Sequence, residues 1–226
     1  MKIEILKSII HYAFISSLKR WKRLSYHIFQ LLPGVKPAIR RTQWYDWPID
    51  LVYYLVDILY LPEWYCLVVV LFKGNIRLAN DLEKYLIAEY FQGLVDERYV
   101  LFNDKASFLV KKFAHALVTF NMIHFDKELS EPIIVHELVH VHQYQKYGSV
   151  YLYRALQAQL SKNTYDYGGP GNLASGAMKG KTINDYNFEQ QASIVEDFYR
   201  LNNQFTLFYS HTESEILEKH YKDLFV

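Results

Sequence analysis

The chain has 226 residues, of which 51% are hydrophobic and 22% charged. This composition excludes an intrinsically disordered protein, because a chain of this length and apolar content can bury a sizeable core. The single cysteine, Cys66, cannot form an internal disulfide, so a metal site in this chain must be built from His, Asp or Glu.

The first 45 residues are strongly basic, although the formal net charge of the whole chain is only +1. They contain nine Lys and Arg residues and one acid, Glu4, so the remainder is net negative. Apolar residues recur at helical spacing from Ile3 to Gln30 and stop at Leu32-Pro33-Gly34, which predicts a helix. A basic helix is either solvated or meets an anionic surface, which could be lipid headgroups, nucleic acid or an acidic partner. The partner predicted here is an anionic membrane surface, with no specific nucleic acid.

A connector rich in Pro and Trp follows this helix and contains Pro37, Trp44, Trp47 and Pro48. Proline interrupts regular structure, so the connector is the predicted domain boundary. The predicted division is a basic helical leader with its connector, residues 1–48, and a larger domain, residues 49–226.

Localisation depends first on the apolar stretch from Ile9 to Leu18. This stretch is short, and basic residues follow it where a secretory signal would have small residues at a cleavage site. We therefore predict no signal peptide, and a protein that is cytoplasmic or membrane-associated.

The segment from Leu51 to Phe72 is long enough in total to cross a bilayer. Asp57, Pro62 and Glu63 lie near its middle, where charges are costly in a membrane. We predict a buried helix over 49–60 followed by an apolar strand or helix over 65–72. Insertion of the segment as a membrane anchor is the alternative.

The middle of the chain mixes helical and strand patterns. Asn80 is a plausible cap for an amphipathic helix that begins at Asp81. The segment from Leu117 to Phe125 is rich in β-branched and aromatic residues, which predicts a strand. Because helical patterns dominate elsewhere, the predicted fold class is α+β, mainly helical, with a small sheet.

The second half of the chain contains further helix signals. Ser130, Glu131 and Pro132 form a start signal for a helix that should end at Gly148. Asn187 and Gln190 form a predicted capping box for a helix over 188–201, and a final amphipathic helix is predicted over 213–224. Residues 161–186 are rich in Gly, Ser and Asn, which predicts a long loop.

The segment from Val135 to His140 contains the pattern H-E-x-x-H. On a helix, His136 and His140 lie one turn apart on the same face, so both imidazoles can reach one metal ion. Glu137 lies about 100° around the helix from His136, where it can accept a proton from water on the metal. The apolar neighbours predict a buried helix, in which a metal relieves the desolvation of the two rings. We therefore predict a site for Zn2+.

Catalytic zinc sites usually have three protein ligands and leave the fourth position to water. The third histidine of the pattern H-E-x-x-H-x-x-G-x-x-H is absent, since Lys146 stands in its place. His142 follows His140 too closely to share its face, so a supporting role is predicted. Glu189, in the first turn of the helix over 188–201, is the favoured third ligand. Glu196 and Asp197 are alternatives that could instead orient a histidine.

Tyr165-Asp166-Tyr167 lies at the edge of the predicted loop. A Tyr hydroxyl here could donate a hydrogen bond to a developing oxyanion, and Tyr165 is the candidate. The alternative for both tyrosines is a packing role, because the chain contains 20 Tyr residues.

The segments TFNMIHF, IVHELVHVHQYQKYG, YDY and NFEQQASIVEDFYR together resemble the metallopeptidase domain of bacterial Vgr-related proteins and of the core domain associated with extracellular contractile injection systems. The resemblance covers roughly Leu82 to Leu201. It implies a zincin-like fold with a gluzincin-type site, in which His136, His140 and Glu189 bind the metal and Glu137 is the general base. No accessory secretion-system module is recognised.

The predicted function is that of a zinc-dependent hydrolase, a metallopeptidase that acts on a peptide or protein substrate. The alternative is a non-catalytic zinc-binding interaction module, associated with a membrane or linked to a bacterial secretion system. The two differ in whether Glu137 is required for a reaction.

Overall fold

The computed structural model describes residues 2–41, 43–105, 116–209 and 214–225. Within them the chain is mainly helical and has one small mixed sheet, which confirms the predicted α+β class. The chain divides into two compact units, Met1–Glu128 with Val141–Tyr153, and Leu129–His140 with Arg154–Val226. The predicted boundary near residue 48 stays a prediction.

The first unit begins with helix α1, Lys2–Phe29, which agrees with the predicted basic helix. Helix α2, Asp46–Ile58, starts within the predicted connector, because Trp47 and Pro48 belong to its first turn. Residues 65–72, for which a strand or a helix was predicted, form part of helix α3, Leu61–Phe72. Pro62 lies in its first turn, where the fixed φ of proline favours the start of a helix.

Membrane-spanning segments can be assessed from these helices. No single helix among the described residues is long and apolar enough to cross a bilayer. The pair α2 and α3 has the required length and composition only when both helices are taken together, and the pair is bent by 57°.

A four-stranded sheet follows in the same unit, with strands β1 (Ile76–Leu78), β2 (Leu101–Asn103), β3 (Ala116–Thr119) and β4 (Met122–Phe125). Their order is β1-β2-β4-β3, and only β2 and β4 are parallel. Helix α4, Asp81–Tyr90, lies between β1 and β2 in the chain and begins with a capping box between Asn80 and Glu83, as the Asn80 signal predicted.

The single strand predicted over 117–125 is wrong. The segment forms a hairpin, in which β3 and β4 pair in antiparallel fashion around Phe120 and Asn121. Phe120 has a φ of 60°, which a two-residue hairpin turn requires and which a phenylalanine rarely adopts. The apolar sequence hides the turn, because it lacks the Gly and Asn-Gly signals from which hairpins are recognised.

Helix α5, Glu131–Tyr147, has the predicted bounds and contributes residues to both units. It ends at Gly148, whose φ of 75° suits glycine at the end of a helix. A β-carbon at this position would lie 1.9 Å from Oδ2 of Asp57, so the close approach also requires glycine. The buried carboxylate of Asp57 accepts hydrogen bonds from the backbone N–H and the hydroxyl of Ser149.

Helix α6 covers Val150–Gln159, and its residues from Arg154 onward belong to the second unit. The segment that follows differs from the sequence prediction. Residues 161–186 do not form one long loop, because Gly169–Met178 is helix α7 and Ile183–Asp185 is a short 3-10 turn. Small residues allow close packing here: a β-carbon on Gly176 would lie 2.8 Å from the Tyr186 hydroxyl oxygen. Leu173 of α7 is fully buried.

Helix α8, Phe188–Asn202, begins with the predicted capping box between Asn187 and Gln190. The last described helix, α9, covers Ser214–Lys222 and is followed by a 3-10 turn at Asp223–Phe225. The predicted start of this helix at residue 213 lies outside the described residues. Helices α8 and α9 pack together, and the ring of Phe198 stacks on that of Tyr221 with 4.2 Å between the ring centroids.

Candidate metal centre

Helix α5 holds His136 and His140 together inside the second unit. Their ring centroids lie 5.1 Å apart, with an angle of 79° between the ring planes, and both side chains are buried. Val135, Leu138 and Val139 are fully buried around them. The helical spacing places both imidazoles on one face, and the apolar neighbours keep most water away from them.

Glu189 projects from the first turn of α8 toward both imidazoles. Its Oε2 lies 3.4 Å from Nε2 of His136 and 3.2 Å from Nε2 of His140. Bonds of about 2.0–2.1 Å to zinc in a tetrahedral site place neighbouring ligand atoms about 3.3–3.4 Å apart, so these separations fit a shared ion. The three residues are buried, and one ligand atom from each lies within 4.8 Å of the others.

The other oxygen of Glu189 is held by Gln159 at the end of α6. The amide Nε2 of Gln159 donates a hydrogen bond of 3.0 Å to Oε1 of Glu189. This contact fixes the rotation of the carboxylate and turns Oε2 toward the two histidines. Sequence reasoning missed Gln159, because no local pattern connects residues so far apart in the chain.

Glu196, two turns farther along α8, contacts the opposite nitrogen of His136. Its Oε2 lies 3.0 Å from Nδ1 of that ring. A carboxylate only accepts hydrogen bonds, so Nδ1 carries a proton, and Nε2, which faces Glu189, is the nitrogen that can bind a metal once its own proton is displaced. Glu196 therefore orients a ligand, which is one of the two roles that its sequence position left open.

Arg200 completes this contact. It donates hydrogen bonds of 3.0 Å from Nε and 2.7 Å from Nη2 to Oε1 of Glu196. The pair is four residues apart on α8, so its ion pair was visible in the sequence, although its connection to His136 was not.

The acids and histidines strongly influence one another's protonation. Burial lowers the pKa of His136, but hydrogen bonds to Glu189 and Glu196 outweigh it and raise that pKa to about 10. The pKa of His140 is also raised, because the charge of Glu189 outweighs the effect of burial. Burial raises the pKa of Glu189, but the two histidines outweigh it and hold this pKa well below its usual range. In the metal-free site the two protonated histidines thus supply positive charge beside the Glu189 carboxylate. A bound metal ion would supply the positive charge in their place.

Glu137 lies beside the cluster but is not one of its three grouped residues. Its side chain is 7% exposed, and none of the described hydrogen bonds involves its carboxylate. Burial raises the pKa of Glu137, and the nearby charges of His136 and His140 oppose this rise. A carboxylate whose pKa is raised accepts a proton more readily at a given pH than an ordinary carboxylate does, which suits a general base.

Tyr165 lies next to the cluster, whereas Tyr167 does not. The ring centroid of Tyr165 is 5.9 Å from that of His136, and its side chain is 51% exposed. Burial and the charges of Glu189 and Glu137 raise the pKa of Tyr165 to about 12, so the hydroxyl keeps its proton at neutral pH.

Tyr167 is buried and donates a hydrogen bond of 2.5 Å to Oδ2 of Asp197. The other oxygen of Asp197 accepts from the backbone N–H of Phe208 at 3.2 Å. Asp197 thus joins the chain segments around α8, and it is not part of the grouped histidines and Glu189.

His142 belongs to the first unit, and its ring is not part of the metal-binding group. It is buried, and its Nδ1 donates to the carbonyl oxygen of Leu94 at 3.4 Å. Burial lowers the pKa of His142 to about 4, so the ring is neutral at physiological pH. This placement agrees with the supporting role expected from its spacing.

Comparison of the chain with models of protein families, with curated proteins and with solved structures finds no significant match. The zincin-like fold and the resemblance to the metallopeptidase domain of Vgr-related and injection-system proteins therefore stay predictions. The buried group of His136, His140 and Glu189 is the finding from which a function can be argued, and it could bind a metal ion.

Proposed function

We propose that this protein is a zinc-dependent hydrolase that acts as a metallopeptidase. One observation carries the proposal: a single carboxylate oxygen of Glu189 lies 3.4 Å and 3.2 Å from the Nε2 atoms of two histidines, and Glu137 adjoins the first of them in the chain. Two imidazoles and one carboxylate form a ligand set known from catalytic zinc sites. Zinc bound there would supply a Lewis acid that lowers the pKa of water and polarises a carbonyl group.

The surrounding residues prepare the donors for such an ion. Glu196 holds the proton of His136 on Nδ1, and Gln159 binds the oxygen of Glu189 that faces away from the histidines. Both contacts reduce the number of orientations that the ligands can adopt, which favours metal binding. Burial of the three side chains further strengthens their attraction for a cation.

Glu137 serves as the general base in this proposal. Its carboxylate would take the proton from the attacking water and return it to the leaving amine of the peptide. The hydroxyl of Tyr165 retains its proton at neutral pH and would donate a hydrogen bond to the carbonyl oxygen of the substrate, where negative charge develops.

A non-catalytic metal module is the second candidate, and the burial of the site favours it. His136 is 8% exposed, His140 4% and Glu189 1%. A peptide bond must reach the cluster for hydrolysis, whereas a metal that only stabilises the second unit needs no such access. Both candidates require the same ligands, and they differ in the need for Glu137 and for access of a substrate.

The test combines metal analysis with peptide cleavage. We expect about one zinc per chain by mass spectrometry and cleavage of a peptide library by the wild-type protein. Glu137→Gln should keep the zinc and lose cleavage by at least about a hundredfold, in the range of a lost acid–base catalyst. Glu215→Gln, which changes an exposed helical acid, is the matched control.

Three results separate the possibilities. Full activity of Glu137→Gln would overturn the proposed base. Bound zinc without cleavage in wild type, together with a loss of thermal stability on chelation, would favour the non-catalytic module. Iron in place of zinc would contradict the metal assignment, because two histidines and a carboxylate also suit iron.

A further inference from the structure

Charged side chains are buried among helices α1, α2 and α3 of the first unit, although α1 and α3 also contribute Ile5, Ile9, Cys66 and Val70 to an apolar core. The inward face of α2 carries Asp46, Asp50, Tyr54 and Asp57, all of which are buried. Glu63 of α3 and Arg20 of α1 are buried as well. Charged side chains are almost never buried unless they are paired, so this interior is unusual for a helical unit that faces water.

The outward faces of α2 and α3 are apolar. On α2, Val52 is 58% exposed and Leu55 is 45% exposed, at a spacing that belongs to one helix face. On α3 the exposed positions follow the spacing of one helix face, i, i+3, i+4, i+7, i+10 and i+11, and they are Leu61, Trp64, Tyr65, Val68, Leu71 and Phe72.

Helix α1 also has an exposed apolar face. Its exposed large side chains include Ile3, Ile10, Phe14, Trp21 and Ile28, which are separated by seven or four residues and so lie on one face. Most of the exposed large hydrophobic side chains among the described residues fall within residues 2–72. A soluble monomer rarely exposes apolar side chains at this density over neighbouring helices.

The buried charges lie close to groups of opposite charge. Arg20 donates a hydrogen bond of 2.5 Å to Glu63 and one of 2.6 Å to the carbonyl oxygen of Asp57. Arg23 lies 3.7 Å from the Asp57 carboxylate, which Ser149 also binds. Because these groups are paired inside the unit, the helices can enter an apolar medium without exposing a bare charge.

The exposed charges of residues 2–72 are mostly basic, and Glu4 is the one exposed acid among the described residues of this range. Lys19, Lys22, Lys36 and Arg40 are exposed, whereas Asp46 and Asp50 are buried. Phosphatidylglycerol and other anionic headgroups complement such a surface. Exposed Trp and Tyr side chains favour the boundary between headgroups and acyl chains. Trp21, Trp64 and Tyr65 lie on these helices, and Trp44 lies between α1 and α2.

We propose that the outer surface of α1, α2 and α3 inserts into one leaflet of an anionic lipid bilayer. Helices α2 and α3 have 13 and 12 residues. At about 1.5 Å per residue each is about 20 Å long, shorter than the hydrocarbon core of about 30 Å. The bend of 57° between them fits a pair that enters and leaves on the same side. At the bend, the carbonyl oxygen of Tyr60 accepts from the N–H groups of Glu63 and Trp64.

Tryptophan fluorescence can test this insertion directly, because all four tryptophans of the chain lie within residues 21–64. The full chain, prepared in a mild detergent, is diluted into vesicles of phosphatidylcholine alone or with phosphatidylglycerol. We expect the protein to float with the anionic vesicles and its fluorescence to be quenched by lipids brominated in the upper acyl chain. Absence of flotation or of quenching would overturn the proposal.

Two pairs of variants keep the test specific. Val68→Asp with Leu71→Asp places two charges in the apolar face and should reduce vesicle binding about tenfold or more. Leu160→Asp with Met178→Asp changes two exposed apolar side chains of the second unit and should bind as wild type does. Circular dichroism checks that both proteins are folded, and equal vesicle binding by all three proteins would contradict insertion through this face.

The basic residues are tested in the same way. Lys19→Gln with Lys22→Gln should weaken binding to anionic vesicles by roughly fivefold per residue, whereas Lys162→Gln with Lys179→Gln should not.

A second copy of the chain is the competing occupant of the surface. Stable self-association in buffer that Val68→Asp with Leu71→Asp abolishes, without vesicle binding by wild type, would assign the face to a dimer and overturn the proposal.

Discussion

Glu196 accepts a hydrogen bond from the imidazole of His136, with 3.0 Å between Oε2 and Nδ1, while Glu189 faces Nε2 of the same ring at 3.4 Å. One histidine thus lies between two carboxylates of α8 that have different roles. Glu196 keeps a proton on Nδ1 of His136. Glu189 faces Nε2 of both His136 and His140, the nitrogen atoms that would bind a metal.

Glu196→Ala should weaken zinc binding by about 10–100-fold, because His136 loses the acceptor that sets its tautomer and ring orientation. Glu196→Gln should lose less, since the amide oxygen can still accept the Nδ1 proton. Competition with a fluorescent zinc chelator measures both affinities, and Glu215→Ala is the control. Unchanged affinity in Glu196→Ala would show that the contact does not support the metal.

Glu189→Ala should weaken zinc binding more than Glu196→Ala, because it removes a donor atom and not only its support. Gln159→Leu should have a smaller effect than either, since it frees only the rotation of the Glu189 carboxylate. The same competition measurement ranks the three variants. A Glu189→Ala protein that binds zinc as tightly as wild type would exclude this residue as the third ligand.

Zinc affinity should increase as the pH rises from about 7 toward 10. In the metal-free protein the pKa of His136 is raised from 6.5 to about 10, so zinc must displace a proton at neutral pH. Calorimetry in buffers of different ionisation enthalpy should detect proton release on binding. An affinity that is constant across this range would contradict the raised pKa.

The unfolding free energy of the metal-free protein should show the opposite trend. The pKa of His136 is higher in the folded chain than in the unfolded one, so its contribution to stability is fully present below about 6.5 and is lost as the pH rises through about 10. Glu189 has a lowered pKa, so its contribution is present above its ordinary value of 4.5 and is lost as the pH falls. Urea unfolding with a chelator present should therefore show lower stability at pH 10 than at pH 6, with His136→Asn reducing the difference.

Tyr165→Phe should lower kcat for peptide cleavage by about tenfold to a hundredfold and leave zinc affinity unchanged. The hydroxyl is proposed to stabilise charge on the substrate, and the ring contact with His136 survives the substitution. Steady-state kinetics and zinc titration on the same preparations separate the two effects. If kcat is unchanged, Tyr165 has only a packing role.

Tyr167→Phe should destabilise the protein by about 1–2 kcal/mol, because Asp197 loses one of its hydrogen-bond donors inside the unit. Zinc affinity should stay close to that of wild type, since Asp197 does not belong to the group of ligands. Urea unfolding of the zinc-bound proteins gives the free-energy difference. A large loss of zinc affinity without a loss of stability would contradict this assignment.

Local chemistry was sufficient to predict the helices that build the site. The start signal at Ser130 and Glu131 and the stop at Gly148 bound α5, and the capping box of Asn187 and Gln190 begins α8. These signals act within a few residues, through backbone groups that a helix end leaves without partners, and so they can be recognised in one sequence. The hairpin at Phe120 lacked such signals. The helix over 169–178 has Pro170 in its first turn but no side-chain cap, and both segments were mispredicted.

The amino-acid sequence by itself determined that His136 and His140 share a helix face and that an acid of the next capped helix is a suitable partner, because helical periodicity is a property of the local chain. Only the tertiary structure decided that Glu189 meets both Nε2 atoms, that Glu196 meets Nδ1, and that Gln159 and Arg200 hold the two acids. It also decided which faces of α1, α2 and α3 point outward, since composition alone cannot tell whether apolar side chains pack inside or face another medium. The physical reason is that these contacts join residues distant in the chain, and their distances depend on how whole helices pack.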